Sequence, residues 1–249
     1  MKKIISISLL AFFGLSLNIA FAQNDTLYIM KNGNIIGKYI VADVDSIIFY
    51  QPAAEEISGS FVDSRDNKLY TWIKIGSQIW MAENLAYVPT DGSNYWASGC
   101  NVSNVEDYGY LYDWSAVMNE EGSSESNPSE VQGICPDGWH LPSKAEWEQL
   151  INYLGGEDVA GAKLKETGPE HWGDGNVASN ESGFTARGGG LYAPSITDCF
   201  DFENYGFWWS ATEYETNRAW SLMLNRTEIT APIYDDNKNS GYSVRCVKN

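Results

Sequence analysis

The run Cys135-Pro136-Asp137-Gly138-Trp139-His140-Leu141-Pro142-Ser143-Lys144-Ala145-Glu146-Trp147 decides how this chain folds. Ser143 and Glu146 stand at capping-box spacing. In that arrangement the serine hydroxyl takes an orphan N–H of the first helical turn and the glutamate reaches back to the cap. Trp147, Leu150, Ile151 and Leu154 recur at i, i+3, i+4 and i+7, so one face of the predicted helix is apolar. Gly155-Gly156 ends it, because glycine reaches the left-handed backbone that closes a helix.

Outward from this helix the elements are short. Residues 69–75 and 78–81 read as a hairpin around Gly76-Ser77. Residues 113–118 and 158–165 are shorter helix candidates, and residues 207–211, 219–224 and 242–247 read as strands between long loops. One main amphipathic helix beside many short strands gives an α+β class. All ten tryptophans lie between Trp72 and Trp220, within a main domain at residues 58–249. Ahead of it, residues 23–50 form a small β-rich segment. Its strand candidates are 26–30, 35–41 and 46–50, the first two joined by an Asn32-Gly33 turn. Residues 51–57 read as a linker.

Residues 1–22 have the pattern of a secretory signal peptide. Lys2 and Lys3 precede an apolar run, and Ala20-Phe21-Ala22 is a small-residue cleavage site. No cysteine follows the run, so a lipid anchor on that residue is excluded, and no later stretch approaches the ~20 apolar residues of a spanning helix. The expectation is an exported protein of periplasm, cell surface or medium, with no integral membrane segment after cleavage. Cys100, Cys135, Cys199 and Cys246 then predict two disulfides in one of three connectivities. Asp and Glu number 33 against 16 Lys and Arg, a formal charge of −17, which argues against nucleic acid as a partner.

Three runs carry a family signature: Ile75-Gly76-Ser77-Gln78-Ile79-Trp80-Met81-Ala82-Glu83-Asn84-Leu85, the cysteine-to-helix run above, and Gly241-Tyr242-Ser243-Val244-Arg245-Cys246-Val247. Between them lie Tyr108-Gly109-Tyr110-Leu111-Tyr112-Asp113-Trp114, Asn180-Glu181-Ser182-Gly183-Phe184 and Trp208-Trp209-Ser210-Ala211-Thr212-Glu213. In that order they resemble the Fibrobacter succinogenes major paralogous domain, an exported bacterial family of the cell envelope whose name supplies no function. The second and third runs are also similar to the C-type lectin-like fold and its formylglycine-generating (sulfatase-modifying) relatives. That resemblance implies a disulfide from Cys135 to Cys246, which leaves Cys100 and Cys199 as the second pair. Within these motifs Trp80, Trp139, Trp147 and Trp209 read as core residues whose indole N–H groups need partners. Glu83 and Arg245 read as members of a partly buried ion pair.

Catalytic chemistry finds little support. The copper-holding cysteine pair of the formylglycine-generating enzymes is missing around Cys199, so their activity is not carried over. His140 and His171 lack helical zinc spacing, and no nucleophile elbow, P-loop or dinucleotide fingerprint is present. No catalytic residue and no cofactor is expected. Calcium is the one candidate, at Asp198, Asp201 and Glu203 or at Asp235 and Asp236, although oxygen-rich loops of this kind are usually only solvated. The long loop before the final strands is the ligand surface that the lectin-like resemblance implies. It carries Tyr192, Asn204, Tyr205 and Phe207, and aromatic faces stack on sugars or fill protein hot spots. The expectation is therefore a non-catalytic binding module for a glycan or protein. The alternatives are a structural or adhesin subunit docking by strand addition and a carbohydrate-active hydrolase of unrecognised type.

Overall fold

The computed structural model describes residues 7–11, 15–22, 26–41 and 56–249, and the chain divides into two units, Met1–Ala54 and Glu55–Asn249. In the first unit β1 (Ile7–Ala11), β2 (Leu15–Ala22), β3 (Thr26–Lys31) and β4 (Asn34–Ile40) form an antiparallel sheet in that order. The β3–β4 turn falls at Asn32 and Gly33, with φ of 50° and 79°, the left-handed pair a tight hairpin demands. The residues read from sequence as a leader supply β1 and β2. The strand expected at 46–50 lies outside the described residues.

The second unit mixes short strands in small sheets with few helices. It begins with β5 (Ser58–Val62), β6 (Leu69–Ile75), β7 (Gln78–Met81) and β8 (Tyr95–Ala97), then α1 (Val105–Tyr108), β9 (Tyr110–Tyr112) and α2 (Trp114–Met118). β10 (Trp139–His140), α3 (Lys144–Tyr153) and α4 (Glu157–Leu164) follow. The last third contains β11 (Leu191–Ala193), β12 (Asp198–Phe200), β13 (Tyr205–Glu215), β14 (Arg218–Asn225), β15 (Ile233–Asn237) and β16 (Val247–Lys248). The sheets run β10-β16-β7-β6-β5, β13-β14-β15, β8-β9 and β11-β12.

α3 starts and stops as its sequence dictates. Glu146 N donates to Ser143 Oγ at 3.2 Å, and Ser143 N donates to Glu146 Oε2 at 2.9 Å, so both halves of the capping box are formed. Gly155 and Gly156 leave the helix at φ 107° and 99°. The β6–β7 hairpin matches its predicted limits.

The strand expected at 242–247 is corrected: regular pairing covers only Val247–Lys248. The residues before it are extended but change partner at almost every step. Gly241 bridges Tyr192, Tyr242 bridges Tyr112, and Ser243 bridges Trp208. Val244 O then accepts Leu85 N and Cys246 O accepts Met81 N. No single neighbour runs alongside long enough to make a ladder, yet these backbone groups are satisfied.

Two apolar clusters fill the unit, one around Trp209, Tyr242 and Trp139, the other around Trp80, Trp147 and Phe184. Trp80 and Trp147 sit 4.5 Å apart between ring centroids, and Trp139 stacks on Phe61 at 4.4 Å. Burial of an indole strands its N–H unless an acceptor is near. Trp209 Nε1 donates to Tyr112 O at 2.8 Å and Trp172 Nε1 to Ala186 O at 2.7 Å. Trp208 Nε1 donates to Asn84 Oδ1 at 2.9 Å, and Trp147 Nε1 to Trp209 O at 3.3 Å. Disulfides join Cys135 to Cys246, the pair the lectin-like resemblance implied, and Cys100 to Cys199, the pair left over.

Candidate functional site

The long-loop aromatics occupy half-buried positions and form two groups. Tyr192 on β11 lies flat on Trp96 of β8, with centroids 3.9 Å apart and planes 9° from parallel. The stack is packed on the Gly241 backbone: a Cβ there would stand 2.7 Å from the Trp96 ring and 2.8 Å from Tyr192 Cβ. The Cys100–Cys199 disulfide ties the loop after β8 to β12, which pairs with β11. The stack is thus fixed by a covalent link and by a glycine that lets the rings approach.

Tyr205 and Phe207 form the second group. Tyr205 stacks on Phe207 at 5.8 Å, Phe207 on Tyr242 at 4.8 Å, and Tyr242 meets buried Trp209 at 4.4 Å. This row of rings runs from the surface into the core. Asn204 sits in the preceding turn, where its carbonyl accepts Arg226 N at 2.9 Å. Among the described residues no ring contact joins Tyr192 to Tyr205 or Phe207. Sequence reasoning did not nominate Trp96, whose importance comes from a ring contact between β8 and β11, strands far apart in the chain.

A charged cluster lies near Tyr108. Arg187 reaches Glu166 Oε1 with Nε and Nη2 at 3.3 and 3.1 Å, and Asp107 with Nη1 at 3.2 Å. His171 Nδ1 shares a hydrogen bond with the other Glu166 oxygen, and the Tyr108 hydroxyl donates to Glu203 at 3.2 Å. The cluster borders a cleft of about 250 Å3 whose lining includes Glu83, Arg187 and Arg245. The ion pair expected between Glu83 and Arg245 is replaced by other bonds. Arg245 is buried, with Nε on Asn84 Oδ1 at 2.9 Å, Nη2 on Thr185 O at 2.8 Å and Nη1 on Phe184 O. Glu83 Oε1 instead accepts Thr71 N at 2.9 Å and Thr71 Oγ1 at 2.6 Å. Burial, then repulsion from Arg187, pushes the Arg245 guanidinium down to about 9, still charged at neutral pH.

His140 is buried on β10 between two acceptors, Glu146 Oε1 at 2.7 Å from Nε2 and Asn249 Oδ1 at 2.6 Å from Nδ1. Burial lowers its pKa, but the hydrogen bond and charge of Glu146, with help from Asn249, outweigh that and leave it raised above 6.5. Both ring nitrogens are engaged, so the imidazole has no free lone pair for an incoming substrate.

The acidic loops are engaged individually. Asp198 Oδ1 accepts Cys199 N at 2.8 Å, Asp235 pairs with Arg218, and Asp236 accepts the Tyr242 hydroxyl. Among the described residues no group of three or more His, Cys, Asp or Glu is arranged to hold a metal ion. In the core, Lys165 Nζ does what a bound cation would do. It donates to the carbonyls of Asn225, Arg226 and Glu228 at 2.6, 2.9 and 2.7 Å.

Among the described residues no helix is long and apolar enough to cross a membrane. The two disulfides are consistent with an oxidising, extracytoplasmic environment. No curated protein and no solved structure matches the chain. The model of the Fibrobacter succinogenes major domain matches residues 73–248, and with that match over the hairpin, the capped helix and the final cysteine the chain belongs to this family.

Proposed function

We propose that this protein is an exported, non-catalytic binding module that holds a glycan or protein ligand on a C-type lectin-like scaffold, after removal of residues 1–22. The Trp96–Tyr192 stack carries the reading. Two half-exposed rings, held flat by Gly241 and a disulfide-tied loop, present aromatic area at little entropic cost to a ligand. Tyr205 and Phe207 add a second aromatic group on the same long-loop segment. The lectin-like scaffold is supported by the bond from the pre-helix loop to the final segment, Cys135 to Cys246. The absence of catalysis is supported by the engagement of both His140 nitrogens and by the Glu166 bond of His171. No cofactor enters this reading.

A glycan array, read with and without calcium, tests the proposal. Binding that falls at least tenfold in Trp96→Ala and Tyr205→Ala, with an unchanged circular-dichroism spectrum, supports it. If no array glycan loses binding in both variants, the aromatic site is refuted.

A structural or adhesin role is the second reading, and β4 favours it. Among the described residues β4 is the last strand of its sheet and exposes Ile35, Ile36, Tyr39 and Ile40, apolar residues of the kind an edge strand offers to a partner. Oligomers that vanish when residues 23–52 are deleted would support strand addition.

A further inference from the structure

A cavity of about 630 Å3 opens beside the first turns of α3 and shares no residue with the aromatic groups above. Its size falls within the roughly 300–1,000 Å3 typical of small-molecule sites. Five of its lining side chains are amides: Gln78, Asn127, Gln132, Gln149 and Asn249. They come from a strand, a polar loop, a helix and the final residue, and each is tethered. Asn127 Nδ2 donates to Gln149 Oε1 at 2.7 Å, and Gln149 Nε2 to Ser77 Oγ at 3.0 Å. Gln132 Nε2 donates to Asp137 at 3.2 Å, Gln78 Nε2 to Glu146 O at 3.2 Å, and Asn249 Oδ1 faces His140 at 2.6 Å.

A primary amide has a carbonyl with two lone pairs and two N–H donors, and these tethers use only part of that capacity. Carbonyl oxygens on Asn127 and Gln132, and N–H groups on Gln149 and Asn249, remain for a ligand. Their positions are already fixed, which reduces the entropy lost on binding. The charged side chains on the wall are balanced in number: one carboxylate and one ammonium, Glu130 and Lys248, beside Glu146, which is paired with His140. A phosphate or uronate would meet no surplus of cation here, on a chain whose net charge is −17. A sugar hydroxyl both donates and accepts, and an amide matches it in both roles.

We infer that this cavity is a second binding site, built for a neutral, hydroxyl-rich ligand of the short-oligosaccharide class. The site stands independently of the aromatic face. The test is calorimetric titration of the full chain with maltotetraose, cellotetraose, xylotetraose and mannotetraose, and with tetragalacturonate as the charged counterpart. The expected result is that a neutral tetrasaccharide binds, that tetragalacturonate binds at least tenfold more weakly, and that Gln132→Ala and Gln149→Ala each weaken the neutral ligand at least tenfold. Glycans held by the aromatic face are told apart on the array, because they are lost in Tyr205→Ala and kept in both glutamine variants. Thermal melts of the two glutamine variants confirm that they are folded. The inference is overturned if none of the neutral tetrasaccharides binds, if binding persists in both glutamine variants, or if Tyr205→Ala alone abolishes it. Preferential binding of a displayed peptide library at this cavity, competed by no tetrasaccharide, overturns it in favour of a peptide.

Discussion

Glu146 serves His140 with one carboxylate oxygen and the start of α3 with the other. Oε1 lies 2.7 Å from His140 Nε2, while Oε2 accepts the N–H groups of Ser143 at 2.9 Å and Ser129 at 3.0 Å. Helix cap, β10 and the 120–130 loop therefore share one buried anion. The folded imidazole holds its proton more tightly than the unfolded one. Its contribution to stability is complete below the unfolded value, near ~6.5, and is lost as pH rises through the raised folded value. Wild type and His140→Gln, melted across this range, should differ most at the acidic end and converge as the solution becomes alkaline. A constant gap across the range would mean that folding leaves the proton affinity of the imidazole unchanged.

The Cys135–Cys246 bond closes a segment of 111 residues. Loop-closure entropy puts its contribution at about 4–5 kcal/mol, as an upper value. Guanidinium unfolding of Cys135→Ser/Cys246→Ser should show most of that loss, with a cooperative transition surviving at reduced midpoint. An unchanged midpoint would show that the denatured chain is already restricted.

Lys165→Met removes the ammonium and leaves three part-buried backbone carbonyls without that donor. The expected cost is on the order of 3 kcal/mol or more, since each unpaired polar group bears its own desolvation penalty. Urea unfolding measures it, and a loss below ~1 kcal/mol would show that water replaces the side chain freely. Lys165 is fully buried, so the methylene stem of methionine fills its space and isolates the polar effect.

Gly241→Ala places a methyl group 2.7 Å from the Trp96 ring. Overpacking of this kind costs about 1–3 kcal/mol. The glycine exchanges two backbone hydrogen bonds with Tyr192, each 3.0 Å long, so the ring stack and the bridge cannot both persist unchanged. Crystallography of the variant should find Trp96 displaced, and array binding should fall with it. Retained binding by a displaced ring would contradict the proposed role of the stack.

What the sequence disclosed divides by range. The cap of α3 and the β6–β7 hairpin were legible because each is written in neighbouring residues: a serine and a glutamate one turn apart, a glycine between two apolar runs. The end of the chain was harder. Residues 242–247 have strand composition, but their pairing is set by Tyr112, Trp208, Leu85 and Met81, whose proximity no local pattern encodes. The same holds for Arg245, two of whose three acceptors are backbone carbonyls that carry no side-chain signal. Tyr192 and Tyr205 could be nominated as aromatics in a loop, but Trp96 becomes the counterpart of Tyr192 only through the β8 and β11 placements. The amide-lined cavity was illegible for the same reason, since Asn127, Gln149 and Asn249 share no spacing.

The segment from Gly241 to Lys248 touches every sheet of the second unit in turn, and this bears on how the molecule comes apart. Where each sheet has its own closing strand, one can fray while its neighbours persist. Here the loss of one shared cord unravels them together. Amide protons in β7, β9, β11 and β13 should exchange on a single timescale, set by whole-unit opening.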